Sequence, residues 1–314
     1  MRPDDLRPCT SGARSAKPAI RMNTVRATLV HVVEVGNTLG ESVLWDPIGQ
    51  RVWWTDIQER LLYRYQPVQD ILEKFALPER LGSFGFVESS DRVVAAFESG
   101  LAFYHPESAQ LEWIARPDHA AGNVRFNDGR VDRRGRFWAG SMVEGSGEPT
   151  GKLYCLCRGL TETHLRGVAI ANGVCFSPDG RHLYFADSPQ FAIQRFDMDP
   201  VSGALSNRQI FAQTPPGAFP DGSNVDEEGH LWNAQWGASR VVRYSPDGKV
   251  SGAIELPVTQ PTCIAFGHVA LDHLFVTTAR EDLSAGALAL QPKAGHLFIY
   301  KTNIKGSPEP RYRP

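Results

Sequence analysis

Several things are scarce in this 314-residue chain, and each scarcity excludes something. The five cysteines (Cys9, Cys155, Cys157, Cys175 and Cys263) form an odd, scattered set with no Cys-x2-Cys spacing, which suits neither a disulfide scaffold nor a zinc site. Cys155 and Cys157 share a face if they lie on one strand, and buried thiols in a reducing compartment are the expectation for them. Charge of one sign is not in excess: the formal net charge is −2, against the basic surplus that non-specific nucleic-acid binding needs. No run approaches the ~18 apolar residues that span a membrane. Catalytic signatures are missing too, with no Gly-x-Ser-x-Gly elbow, no His-Glu-x-x-His and no phosphate-binding glycine loop. The nine histidines show no metal-ligand spacing and are expected to be structural or surface residues.

Helical periodicity is nearly absent, and what replaces it is a repeat. Short aromatic or β-branched strands follow Asp/Gly turns throughout the chain, as in Asp46–Asp56, Asp132–Gly140, Pro178–Asp187 and Asp226–Ala234. With Trp53, Val94, Trp138, Tyr184, Trp232 and Phe275 as centres, the spacings are 41, 44, 46, 48 and 43 residues. Six copies at this period match the four-strands-per-blade arithmetic of a propeller. The 22 prolines and 29 glycines supply turns at the density an all-β fold requires. The expected fold is therefore all-β, a six-bladed β-propeller with four antiparallel strands per blade. Pairing Ala27–Val33 with His296–Tyr300 closes it and removes exposed sheet edges.

Residues 1–21 hold Pro3, Pro8 and Pro18, several basic residues and no apolar h-region, so they do not read as a secretory signal. The expected organisation is a disordered tail over 1–24, one propeller domain over 25–305 and a C-terminal tail over 306–314. Met22 is an alternative candidate for the first residue. A cytoplasmic protein without nucleic-acid or membrane partners is the expectation that goes with this composition, and a monomer is the expectation for a closed propeller.

Polar residues recur in the repeat at one place. Glu41, Asn127, Asn172 and Asp221 precede their centres by 12, 11, 12 and 11 residues. If those strands are innermost, four oxygen-bearing side chains converge on the central channel. Burying two carboxylates and two amides together is costly without a cation. An oxygen-only donor set favours Ca²⁺, Mg²⁺, Mn²⁺ or an oxygen-tolerant Fe²⁺ over structural zinc. Asp128 follows Asn127 directly and, on a regular strand, would point the other way, as a turn former.

Leu39-Gly40-Glu41, Arg125-Phe126-Asn127-Asp128-Gly129, Ala171-Asn172-Gly173 and Pro220-Asp221-Gly222 resemble the SMP-30/gluconolactonase/regucalcin family over residues 35–300, with greatest similarity to bacterial xylonolactonase- and arabinolactonase-type enzymes. The resemblance implies one divalent metal ion (Fe²⁺, Ca²⁺, Mn²⁺, Zn²⁺ or Mg²⁺) held by Glu41, Asn172 and Asp221. It implies substrate contacts from Arg125 and Asn127, and makes Glu144 the candidate for a family glutamate that follows the third-blade strand. The implied reaction is hydrolysis of a sugar lactone (xylono-, arabinono-, galactono- or gluconolactone) to its aldonic acid, with Asp221 as catalytic base. Two alternatives stand beside it: a calcium-binding regulatory propeller without catalysis, and a phosphotriesterase- or aryl-esterase-like hydrolase. Arg125 and Asn127 favour a polyhydroxylated substrate over the last.

Overall fold

The computed structural model describes residues 25–117, 123–145 and 148–314; the expected tail over 1–24 lies outside them. Among the described residues the strands form six four-stranded antiparallel sheets. Five sheets are consecutive meanders, and the sixth takes its outermost strand, Ala27–Val33, from the start of the chain. That strand pairs antiparallel with Leu297–Thr302, matching Ala27 to Thr302 and Val33 to Leu297. The ring is closed as the two β-branched runs required. Among the described residues no helix is long and apolar enough to cross a membrane.

Strands inside each blade are apolar on both faces, because each face meets a neighbouring blade. In the first blade Trp45, Val52 and Trp54 pack against Ala265, Phe275 and Leu297 of the sixth. The alternate residues Leu44, Trp53 and Leu62 pack against Phe84 and Val93 of the second. Period-2 alternation thus sorts side chains between two hydrophobic interfaces rather than between core and water. The outer strands lose this requirement: Ile71–Ala76 alternates between exposed and half-buried positions.

The Asp/Gly turns of the repeat are tied to their own aromatic centres. Asp132 accepts the backbone N–H groups of Arg134 and Arg136, while its other oxygen accepts Trp138 Nε1–H at 2.9 Å. Asp226 does the same for Glu228, His230 and Trp232. An aspartate that satisfies a turn and a buried indole at once explains why Asp and Trp recur six residues apart.

Two expectations need correction. Cys155 is buried, but Cys157 falls one residue past the strand Gly151–Leu156 and is exposed. Residues 306–314 are not a free tail. Gly306 bridges Asp226, Tyr312 bridges Val87, and Arg311 reaches Asp46 at 2.5 Å. The segment straps the fifth, first and second blades across one end of the channel.

Candidate functional site

The six innermost strands are Gly40–Asp46, Leu81–Phe86, Val124–Val131, Ala171–Phe176, Phe219–Val225 and Pro261–Gly267. Each carries a register shift near its start, at Glu41/Leu44, Leu81/Ser83, Phe126/Gly129, Asn172/Cys175, Pro220/Ser223 and Pro261/Ile264. A bulge inserts one residue and re-aims side chains. Here it does so at the same end of all six blades.

Glu41, Asn127, Asn172 and Asp221 occupy one equivalent position. Each lies three residues before the inner-strand partner of its aromatic centre, the partners being Leu44, Arg130, Cys175 and Asn224. The alternating offsets of 12 and 11 come from the far hairpin, which spans 46–51 and 177–182 in two blades but only 132–136 and 226–230 in the others. In the remaining blades the position is Gly82 or Thr262. A Cβ on Gly82 would lie 2.7 Å from two carbonyl oxygens of Phe126 and Asn127. The Thr262 hydroxyl is turned into the wall, donating to the Gly40 carbonyl.

Glu41, Arg125, Asn127, Asn172 and Asp221 all line one cavity of about 270 Å³. Asn127 Nδ2 donates to Asn172 Oδ1 at 3.0 Å and to the Ala171 carbonyl at 2.9 Å. Asn172 Nδ2 donates to Ser188 Oγ at 2.9 Å, and Ser188 in turn donates to the Pro220 carbonyl. These bonds fix both amides, leaving Asn172 Oδ1 aimed at the cavity. Glu41 accepts the Ser42 N–H at 2.8 Å. Asp221 Oδ1 is buried with no donor aimed at it among the described residues, and the Glu41 and Asp221 carboxyls lie close enough to share a proton when no cation is present.

The electrostatics are those of carboxylates waiting for positive charge. Burial raises both Glu41 and Asp221 well above the usual carboxylate range; Asp128 adds to the rise in Glu41, and Glu41 and Asp128 add to that in Asp221. Burial also lifts Asp128 to about 6, against backbone N–H groups and Arg130 that pull it down. None of the three forms an ion pair among the described residues. Glu41, Asn172 Oδ1 and the orphaned Asp221 Oδ1 make an oxygen-only donor set, which fits a hard divalent cation. A buried acceptor without a partner is costly, and a cation removes the cost.

Two expected roles change on inspection of the geometry. Asp128 is no turn former: at the bulge its carboxylate is buried against the inner strand of the fourth blade, accepting Gly129 N–H at 2.8 Å and Val174 N–H at 2.7 Å. Strict strand alternation could not reveal this. Glu144 does not line the cavity; it accepts from Arg125 Nε at 2.9 Å and from both terminal nitrogens of Arg80 at 2.7 and 2.9 Å. Arg125 is buried and also donates to Asn127 Oδ1 at 2.7 Å and to the Phe126 carbonyl. Its remaining terminal nitrogen has no hydrogen-bond partner among the described residues.

The upper walls carry residues that the polar repeat did not flag: Leu39, Met142, Ile170, Ser188, Phe219, Trp236 and Glu281. Most sit at strand ends beside the bulged position, so counting from the bulge would have found Phe219 and Ile170. Trp236 lies on the second strand of its blade, four residues after Trp232, and packs against Leu39, Ile57 and Ala279.

A family model described as SMP-30/Gluconolactonase/LRE-like region matches residues 39–280. The chain is 36% identical over 288 residues to 6-deoxy-6-sulfogluconolactonase of Pseudomonas putida, covering 91% of this chain and 98% of the relative. It is 38% identical over 292 residues to L-arabinolactonase of Azospirillum brasilense, covering 91% and 95%. A solved structure of regucalcin from Agrobacterium tumefaciens, described as a calcium-binding protein, matches with a TM-score of 0.86 at 32% identity, covering 91% of this chain and 98% of the other. With the bulged oxygen ring and the match over residues 39–280, the chain belongs to the SMP-30/gluconolactonase/LRE-like family.

Proposed function

We propose that this protein hydrolyses a sugar lactone of the aldonolactone class to its open acid, using one divalent ion held by Glu41, Asn172 and Asp221. The observation that carries this reading is the orphaned Asp221 Oδ1, which shares a cavity with Glu41, Asn172, Arg125 and Asn127. The relatives named as lactonases support the same reaction class.

A divalent ion bound there supplies Lewis-acid polarisation of an ester carbonyl. The chain's own groups do the rest. Arg125 is clamped by Glu144, Asn127 and the Phe126 carbonyl, so its free nitrogen meets a sugar hydroxyl or the lactone oxygen without first losing rotamer freedom. Asn127 is held by Ala171 and Asn172 and fixes the substrate's position beside the acids. Asp221 accepts the proton of the attacking water as its oxygen bonds to the lactone carbon. The ring carbon–oxygen bond then breaks, and the ring oxygen leaves with that proton as a hydroxyl. General-base assistance of this kind contributes ~10²–10⁴-fold.

Leu39, Met142, Ile170, Phe219 and Trp236 favour a second reading, hydrolysis of a less hydroxylated ester, since they give the cavity apolar walls. One experiment separates the readings. Chelator-stripped protein is assayed with single divalent metals added back, against xylono-, arabinono-, galactono- and gluconolactone and an aryl ester. Turnover of an aldonolactone, restored by one ion, is the expected result. Turnover of the aryl ester alone selects the second reading, and tight metal binding without any turnover selects a binding propeller.

A further inference from the structure

Outside the channel, a group of metal-competent side chains lies at the opposite end of the sixth blade. Its inner strand starts beside Thr262, at the cavity, and ends at Gly267; the hairpin that follows carries His268, Asp272 and His273. One ligating atom from each of the three lies within 4.8 Å of the others. The C-terminal strap crosses here, with Gly306 N–H donating to the Leu271 carbonyl at 2.8 Å. The hairpin folds the two histidines together, which is why linear spacing concealed the group.

The local geometry prepares these rings for an ion. The two imidazole centroids are 4.2 Å apart with planes tilted by 36°. His268 adopts φ 69°, a left-handed conformation uncommon outside glycine, which carries its ring back over His273. His273 Nδ1 is 2.7 Å from Asp272 Oδ1, so Nε2 is the nitrogen left free. A carboxylate on one ring nitrogen is how metal-binding histidines are oriented and made more basic. Asp272 Oδ2 is 3.4 Å from Lys301 Nζ, and that lysine side chain is 59% exposed, free to swing into water when a cation arrives. Both imidazoles open on a surface cavity of about 460 Å³ that His31, Tyr65 and Asp70 also line.

We propose that His268 and His273, the latter oriented through Nδ1 by Asp272, form a second metal site, distinct from the channel, for a borderline divalent ion of the Zn²⁺, Cu²⁺ or Ni²⁺ class. Imidazole nitrogen suits those ions, whereas the oxygen-only channel suits harder ones. The two sites sort metals by donor chemistry. The Asp272 carbonyl also accepts Thr302 N–H at 2.8 Å, so an ion on this hairpin pins it against the strand that closes the propeller. This inference does not rest on the lactonase reading.

Chelator-stripped protein is titrated with Cu²⁺ and followed by electron paramagnetic resonance. Two imidazole donors split the copper signal by nitrogen coupling, which the channel, with oxygen donors alone, does not produce. Expected is one nitrogen-coordinated ion per chain, lost in His268→Gly and in His273→Gln. Glycine keeps the left-handed backbone, so His268→Gly removes the ring with little folding cost. Asp272→Asn is expected to weaken the affinity ~10–100-fold. A wild-type spectrum without nitrogen splitting overturns the proposal, as does splitting that persists in both folded histidine variants.

Discussion

Arg130 Nε lies 3.0 Å from Glu309 Oε1 inside the propeller channel, the two side chains being 7% and 8% exposed. The N–H is not aligned on that oxygen, so the contact is electrostatic rather than a formed hydrogen bond. The guanidinium extends from the third blade to the carbonyls of Ser223 at 2.5 Å, Ile264 at 3.3 Å and Val43 at 3.4 Å, on the fifth, sixth and first. One arginine thus ties four blades together beneath the carboxylate ring, and the C-terminal strap neutralises it.

Removing the Glu309 carboxylate should therefore be expensive. Glu309→Ala leaves a buried charge without its partner and is expected to cost about 3 kcal/mol. Urea unfolding measures this directly. A loss below about 0.5 kcal/mol would mean that the carbonyls alone satisfy Arg130.

Glu41→Gln keeps the side chain's shape but removes the negative charge that Glu41 takes on when a cation binds. Metal affinity and lactone turnover are expected to disappear together, while the unfolding midpoint of metal-free protein stays the same or rises, because burial strains the charged form. Calorimetric metal titration beside the activity assay tests the pair. Full activity in this variant sinks the metal assignment.

Asp221→Asn removes the proton acceptor and also one of the two anionic ligands of the ion, so its kcat is read at saturating metal. The amide keeps one oxygen donor but accepts no proton at neutral pH, so kcat is expected to fall ~10²–10⁴-fold. A kcat within threefold of wild type would remove Asp221 from the role of base.

Glu144 touches Arg125 and Arg80 but not the cavity, so its contribution should run through Arg125. Glu144→Ala is expected to lower kcat/KM about tenfold, and the loss should vanish once Arg125 is replaced. A double-mutant cycle on kcat/KM measures that coupling. Additive losses would instead place Glu144 in contact with substrate.

Stability should decline on the acid side, with His296 contributing. Its Nδ1 accepts the Gly36 N–H at 3.1 Å. Burial, together with Lys293 and Arg280, holds the ring below its ordinary value of 6.5 against the pull of Glu34. The unfolded chain then takes up its proton first as pH falls. His296 therefore imposes no penalty above about pH 6.5, and stability is lost from there down through its lowered folded value. Melting temperatures between pH 7.5 and 5 should slope downward, and His296→Gln should flatten the slope. His273 is shifted in the same direction, with burial as the main cause. An unchanged slope in His296→Gln would exclude His296 as a contributor.

Much of this molecule is determined by the sequence alone. Blade number follows from six evenly spaced apolar centres, five of them aromatic, because each blade needs an apolar side chain at its inter-blade interface; in two blades a turn aspartate also holds the indole. Ring closure follows from two orphan β-branched runs. The convergence of Glu41, Asn127, Asn172 and Asp221 follows from equivalent register on the innermost strands, since equivalent inward-facing positions there form a ring about the axis. Only the tertiary structure decided the rest. Asp128 bonds the inner strand of the next blade because a bulge breaks strand alternation, and local sequence does not announce which residue a bulge will insert. Gly82 is bare because backbone from the next blade occupies its Cβ position, a contact between residues 45 apart. Residues 306–314 read as a polar tail until Arg130 appears beneath them, since a buried charge on one strand selects its partner from anywhere in the chain.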